Sequence, residues 1–322
     1  MKKQAAILCD EPAHLPVVYG EKTLAAIREL VELRAGVLNS KSLEQNDLSE
    51  IEVLFSTWGM PRLTEAQLDR LPKLKVLFYA AGATEGFVRP LLRRGILCSS
   101  AWQANAIPVA EFTFAQILLG LKGVQRLSRR LGQEHIWARD HLVGPGAYGA
   151  RVGLIGDGAI ARRVCGLLGN CDVEVVMMPS DPASRSISLE ELFRTCQVVS
   201  NHLPNRADNA GTVTRKLLET MPYGGVFINT GRARQVDQEG LIQALRSRLD
   251  LTAILDVFPQ EPLPRDSELF ELPNVFLTPH VAGSLNDECR RMGEYMLDEL
   301  RRYLRGEPLR YRVIEELLMP EE

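Results

Sequence analysis

Short apolar runs alternate with helical apolar stripes along most of the chain. AAILC at 5–9, IEVLFST at 51–57, LKVLFYA at 74–80 and GILCSS at 95–100 predict buried strands. Between them, Leu24, Ile27, Leu30 and Val31 recur at helical spacing within 21–33, and Thr64 with Gln67 three residues on marks a capped helix start over 64–71. The rhythm restarts with RVGLIG at 151–156, followed by VEVVMM at 173–178, CQVVSNHL at 196–203, GGVFINT at 224–230, LTAILDVF at 251–258 and NVFLTPH at 274–280. Helices are expected at 109–121, 159–168, 189–194, 215–220, 237–247 and about 285–304, while 122–146 is polar, spotted with aromatics and without a clear period. Strands that alternate with helices predict parallel sheets. On the final helix Leu285, Cys289, Met292, Met296, Leu300 and Tyr303 form one stripe, expected to dock on the protein's own core.

Composition narrows the class. A chain of 322 residues is long for one core, so two domains are expected. At 45% hydrophobic and 25% charged residues it reads as an ordinary globular protein, and Lys+Arg 38 against Asp+Glu 41 leaves no general attraction to a nucleic-acid backbone. Cys9, Cys98, Cys165, Cys171, Cys196 and Cys289 are widely spaced, with no CxxC pair, which suits buried thiols in a reducing cytoplasm and no metal site. The N-terminal apolar run meets Asp10 and Glu11 at once, unlike a signal peptide, and no unbroken apolar stretch is long enough to predict a membrane span.

The sharpest motif is Gly156-Asp-Gly158-Ala159-Ile160-Ala161, a G-x-G-x-x-A element between a strand and a helix. Gly156 permits a tight turn, Gly158 lets a pyrophosphate approach the backbone, and the small Ala161 allows close helix packing. An acidic ribose acceptor is expected at the end of the next strand, but the count falls on Pro179, with Ser180 and Asp181 following and Arg185 nearby. Either NAD or NADP fits this pattern as cofactor.

Three later strands end in reactive residues: FINTGRARQVD carries Arg232, ILDVFPQEPLP carries Asp256 and Glu261, and FLTPHVAG carries His280. With the glycine loop, these segments resemble the D-isomer-specific 2-hydroxyacid dehydrogenase family, which includes phosphoglycerate dehydrogenase and the glyoxylate and hydroxypyruvate reductases. The resemblance is strongest from Gly153 to Gly283. It implies an α/β architecture: a Rossmann-type NAD(P)-binding domain at 102–285, inserted into a flavodoxin-like α/β catalytic domain made of 1–101 and 286–322. It also implies oxidoreduction between a small 2-oxo acid and its D-2-hydroxy acid, and a homodimer. Arg232, Glu261 and His280 match the substrate arginine, the acidic partner and the proton carrier. Ala81, Gly82, Ala83 and Asn105 match substrate-binding positions. Asp256 matches the aspartate at the nicotinamide end, and His202, Pro204, Thr230 and Gly283 fall on the cofactor side.

Each assignment has a structural alternative. His280 could be a satisfied core histidine, Glu261 a solvated loop carboxylate, Arg232 an ion-pair partner of Asp237, and Asp256 a cap on the turn that follows it. Ala233 stands where the family usually has glycine, Arg234 and Gln235 make that loop unusual, and the path from Met178 to Leu189 is short for ribose recognition. Trp102, Gln103 and Trp137 are expected in core or subunit contacts rather than on substrate. Formate-oxidising relatives carry glutamine where Glu261 stands, which disfavours that chemistry. From another functional class, a catalytically weak dinucleotide sensor or corepressor-like protein could retain the same fold.

Overall fold

The computed structural model describes residues 2–137, 144–315 and 318. The chain divides into two compact units, Met1–Ala106 with Ser284–Glu322, and Ile107–Gly283. The first unit begins with β1 (Gln4–Leu8), α1 (Leu15–Leu30), β2 (Glu32–Leu38), β3 (Val53–Ser56), α2 (Glu65–Asp69), β4 (Val76–Tyr79), α3 (Arg89–Arg93) and β5 (Leu97–Ser100). Its strands are parallel in the order β2-β1-β3-β4-β5, the flavodoxin-type arrangement. Thr64 caps α2 with the reciprocal Gln67 bond that the sequence predicts.

The helix expected over 21–33 is placed differently. It starts at Leu15, bends at Gly20 where φ is 59°, and stops at Leu30, so that Glu32–Leu38 forms an edge strand. Only Leu38 of that strand is buried, which explains why no apolar run announces it.

From β5 the chain enters α4 (Trp102–Leu121), which starts earlier than expected and contains Pro108. Among the described residues it is the one helix long and apolar enough to cross a membrane by length and composition. Ala104, Ala110, Ile117 and Leu121 are nonetheless fully buried within the protein, as in a core helix. Trp102 and Trp137 are both exposed, so neither fills a core. The polar stretch after α4 contains α5 (Val124–Glu134), a helix with no buried residue and hence no core-facing stripe strong enough to predict.

The second unit continues with β6 (Ala150–Ile155), α6 (Ala159–Leu168), β7 (Val173–Met178), α7 (Leu189–Thr195), β8 (Val198–Asn201), α8 (Arg215–Glu219), β9 (Val226–Asn229), α9 (Gln238–Ser247), β10 (Thr252–Leu255) and β11 (Val275–Leu277). Its parallel order is β11-β10-β9-β8-β6-β7. Every residue of β8, β9 and β10 is buried, the reason these strands read as unbroken apolar runs. Numbered within the unit, the order is 2-1-3-4-5-6: the winding reverses beside the first strand as in a Rossmann sheet, but β7 alone lies beyond β6, where the usual order places a further outermost strand. That strand is missing because the path from Met178 to Leu189 holds only a short turn at Pro182–Ser184, which leaves β7 as the sheet edge.

The chain then returns to the first unit in α10 (Cys289–Leu304). Met292, Met296 and Leu300 are fully buried and share a cluster with Val18, Ile27, Phe55 and Phe78. Burying each such side chain contributes about 1.5–3 kcal/mol. Gly293 lets the α10 backbone touch α1, since a Cβ there would collide with the Val18 carbonyl. Leu285, expected on the same stripe, precedes the helix and is exposed. Glu299 is fully buried on α10, where it accepts from Ser99 Oγ at 2.8 Å and from the amides of Arg310 and Tyr311 at 3.1 Å, pinning the C-terminal segment to β5.

Candidate active site

The register of the second sheet aligns the ends of its strands. Met178, Ile155, Asn201, Asn229, Leu255 and Leu277 pair in succession across the sheet. The next residue in each strand's sequence is therefore Pro179, Gly156, His202, Thr230, Asp256 and Thr278, a row along the carboxyl edge. Ligands in open α/β sheets collect on this edge, at the point where the chain reverses its winding direction. Here that point lies between β6 and β8.

At the reversal, Gly156 has φ 102°, and a Cβ would stand 2.6 Å from the His202 carbonyl oxygen. Only glycine suits both the conformation and the contact. Gly158 begins α6 without a side-chain cap, so the amides that follow, from Ala159 and Ile160 onward, are not taken by a capping side chain. A Cβ built at Gly158 meets nothing within 4 Å, and Ala161 is fully buried against the sheet. Open space faced by uncapped helix amides fits a pyrophosphate. His202 is buried, its Nε2 lies 3.0 Å from Ser200 Oγ, and its Nδ1 has no hydrogen-bond partner among the described residues. Burial lowers its pKa to about 4, so the ring is neutral at neutral pH.

The loop after β7 uses its charged groups on itself. Asp181 accepts from Ala183 N at 3.0 Å and Ser184 Oγ at 2.9 Å. Arg185 donates through Nε to the Pro179 carbonyl and through Nη2 to the Ser180 carbonyl.

Farther along the row, Asp256 is 1% exposed. Its Oδ1 accepts from Thr278 Oγ1 at 2.6 Å and Val281 N at 2.8 Å, while its Oδ2 accepts from Ala282 N at 2.9 Å. These bonds bracket His280, whose φ of 54° lies in the left-handed region that histidine seldom adopts. Such a conformation persists where the surroundings over-determine it. Asp256 thus caps the distant histidine loop after β11, where its structural alternative predicts a cap on the turn that directly follows it, and Gly283 comes directly after the last capped amide.

The loop presents His280 Nδ1 to Glu261 Oε2 at 2.6 Å. The other oxygen, Oε1, accepts from Phe258 N at 2.9 Å, so both carboxylate oxygens are held. Partial burial tends to raise the Glu261 pKa, but the His280 bond, the Phe258 amide and the positive charge of Arg232 outweigh it and hold the carboxyl below its usual value. Glu261 is therefore an anion at neutral pH that accepts the Nδ1 hydrogen. The pair is half-exposed, unlike a satisfied core histidine.

Arg232 is half-buried, with Nη1 donating to the Gly231 carbonyl at 2.9 Å. Asp237, its alternative ion partner, instead caps α9. Behind the arginine lies a polar network that pattern reading missed. Asn201 Nδ2 donates to Gln235 Oε1 at 2.7 Å, and Gln235 Nε2 donates to the carbonyls of Leu203 and Pro204 at 2.9 and 2.8 Å. Asn229 Nδ2 donates to the Arg232 carbonyl at 3.2 Å and Oδ1 accepts from Gly231 N at 3.1 Å. The unusual Gln235 thereby ties the turn after β8 to the arginine turn after β9. Ala233 sits outside the left-handed region, so glycine is not required there. Thr230 Oγ1 shares a hydrogen bond with Thr113 Oγ1 at 3.1 Å. Polar residues in β8 and β9 at the sheet's carboxyl edge were the available signal for this network.

Within the first unit, Ser100 Oγ donates to the Ala81 and Gly82 carbonyls at 2.8 and 2.7 Å, shaping the small-residue turn that ends at the exposed Ala83. Asn105 Oδ1 accepts from Ser284 N at 2.9 Å, and a Cβ on Gly82 would lie 3.6 Å from Asn105 Nδ2.

A Rossmann-like NAD-binding sheet and a histidine–carboxylate pair beyond its strand ends define the class. Residues 114–282 match the D-isomer specific 2-hydroxyacid dehydrogenase NAD binding domain. The chain is 30% identical over 302 residues to a glyoxylate reductase of Korarchaeum cryptofilum (strain OPF8), covering 89% of this chain and 91% of that one. It is 31% identical over 309 residues to a D-3-phosphoglycerate dehydrogenase of Mycobacterium leprae (strain TN), covering 91% of this chain but 58% of that longer relative. The NAD-complexed D-isomer specific 2-hydroxyacid dehydrogenase of Lactobacillus delbrueckii ssp. bulgaricus shares the fold, with TM-score 0.80 at 19% identity over 97% of this chain and 100% of that one. The chain belongs to the D-isomer specific 2-hydroxyacid dehydrogenase family.

Proposed function

We propose that this protein interconverts a small 2-oxo acid and its D-2-hydroxy acid with NAD(H) or NADP(H). The observation that carries the proposal is the His280 Nδ1 to Glu261 Oε2 contact of 2.6 Å, presented by a loop that Asp256 holds in place. The amides from Ala159 and Ile160, with Gly156 and Gly158, would hold the dinucleotide's pyrophosphate. Pro179, Ser180 and Asp181 would flank its adenosine end, and His202, Pro204, Thr230, Asp256 and Gly283 the rest of its path. When bound, the nicotinamide supplies the hydride for the substrate's carbonyl carbon.

The residues of the chain do the remaining work. Arg232 grips the acid through its planar fork of donors and polarises the neighbouring carbonyl. Glu261 takes the Nδ1 hydrogen of His280, which orients the ring and leaves Nε2 to serve the substrate. From the protonated ring, Nε2 gives its proton to the carbonyl oxygen, and His280 returns to the neutral tautomer with Nδ1 still bound to Glu261. In the oxidative direction Nε2 accepts the hydroxyl proton. The family resemblance adds the turn Ala81, Gly82 and Ala83 and Asn105 as groups for the acid. It also supports a cytoplasmic homodimer that acts on free acids, with neither nucleic acid nor membrane as partner.

The test is a spectrophotometric screen of glyoxylate, hydroxypyruvate, pyruvate and longer 2-oxo acids with NADH and NADPH, followed by chiral analysis of the product. Turnover of at least one acid to its D-hydroxy product is expected. Measured dinucleotide binding without turnover of any acid would instead favour the sensor reading.

A further inference from the structure

The ribose-reading group expected at the end of the second Rossmann strand is missing here, and another carboxylate has reached that position. β7 ends at Met178, and the next side chain, Pro179, offers no hydrogen bond. Asp181 is consumed by Ala183 and Ser184, and two nitrogens of Arg185 by the carbonyls of Pro179 and Ser180. Asp157, between the two glycines of the turn after β6, crosses to the tip instead. Its Oδ1 accepts from Ser180 N at 3.2 Å, beside the bond of 2.8 Å from Gly156 N to the Met178 carbonyl.

The second oxygen of Asp157 lies 3.5 Å from Nη2 of the exposed Arg162, whose Nε donates to the Asp157 carbonyl at 2.6 Å. The side chain is 35% exposed. One carboxylate oxygen is thus fixed by the strand tip while the group as a whole stays open to solvent. In a Rossmann site the adenosine ribose lies between the glycine turn and the second strand's end, where an acidic side chain accepts from its hydroxyls.

We propose that Asp157 takes over the ribose-reading role and makes this site prefer NAD(H) to NADP(H). A ribose diol donates hydrogen bonds to the carboxylate, whereas a 2′-phosphate meets a like charge that the Ser180 amide holds in place. Arg162 and Arg185 are the cations nearest in sequence to Asp157 and Ser180, and an opposing NADP-type site would use one of them to hold the phosphate. Arg185 is already committed to two backbone carbonyls, and Arg162 to Asp157 itself. The inference rests on the dinucleotide reading of the glycine turn and adds which dinucleotide it takes.

Calorimetric titration of the full-length protein with NADH and with NADPH tests it, without use of turnover. Wild type is expected to bind NADH more tightly. Asp157→Asn keeps an oxygen for the Ser180 amide but removes the charge, and should narrow the NADH-to-NADPH preference by roughly tenfold, mainly through a gain in NADPH affinity. Asp157→Ser, a smaller neutral replacement, should move it in the same direction, and Arg185→Ala should leave NADPH affinity unchanged. Tighter NADPH binding by wild type, an unchanged preference in both Asp157 variants at unchanged thermal midpoint, or lost NADPH affinity in Arg185→Ala would overturn the assignment. Absence of binding of either dinucleotide to wild type would overturn the dinucleotide reading itself, a result distinct from intact NADH binding with no effect at Asp157.

Discussion

The two sheets share one strand order through their first five strands, yet the turns at their winding reversals are built differently. In the second unit the glycine lies on the turn after the first strand, Gly156, and the helix behind it opens on Gly158 with uncapped amides. In the first unit the glycine lies across the reversal, after β3. Gly59 has φ 88°, its carbonyl accepts from Asp10 N at 2.7 Å, and a Cβ there would stand 2.8 Å from Glu11 N. Pro12 begins the short turn that precedes α1, and Pro16 lies in the first turn of that helix, so donors are missing where the second unit offers Ala159 and Ile160. Topology creates the reversal in both sheets. Local backbone chemistry decides which can receive a phosphate.

Five substitutions sharpen that contrast, two read in binding and then three read in stability, each group from the largest expected effect to the smallest. Gly156→Ala forces a side chain into the His202 carbonyl at positive φ, and should weaken dinucleotide binding at least a hundredfold in a titration. Gly158→Ala, at φ −68° with open space around it, should fold normally and lose only about tenfold. If the two variants behaved alike, the distinction between the turn and the phosphate approach would be wrong.

His202 gives the second unit a pH signature. Burial holds its folded pKa at about 4, below the ordinary histidine value of about 6.5, so the unfolded chain binds more protons between those values. Stability contributed by the neutral ring is complete above pH 6.5 and is lost as pH falls toward 4, by up to about 3 kcal/mol. Denaturant unfolding at several pH values should show this loss, and His202→Leu should flatten it.

In the first unit, Gly59→Ala should cost about 2 kcal/mol through strain at φ 88° and the Glu11 contact. The folded fraction should still bind dinucleotide with wild-type affinity, because the phosphate turn belongs to the other unit. Asp181→Ala removes the cap of an exposed turn and should show the smallest effect, a slight downward shift in thermal midpoint.

The legible parts of the sequence were those with burial on every residue or with steric demands inside one short segment. β8, β9 and β10 announce themselves as apolar runs, and the glycine turn as a local motif. The edge strand β2 and the surface helix α5 did not, because neither buries a face. The pairing of Glu261 with His280 was expected from the resemblance. The roles of Asp256 as cap of the histidine loop, Gln235 as clamp and Asp157 at the β7 tip depend on partners that only folding brings near. Gln235 in particular looked like an oddity of its loop. Its amide is fully buried and bonded from both ends to the β8 side.

The most direct test of the central claim compares wild type with His280→Gln in the reduction of whichever 2-oxo acid the screen identifies, with dinucleotide affinity measured on the same preparations. Loss of the proton donor should lower turnover by about 10²–10⁴-fold while the dinucleotide dissociation constant stays unchanged. Equal turnover of the two proteins across the neutral pH range would contradict His280 as the group that moves the proton.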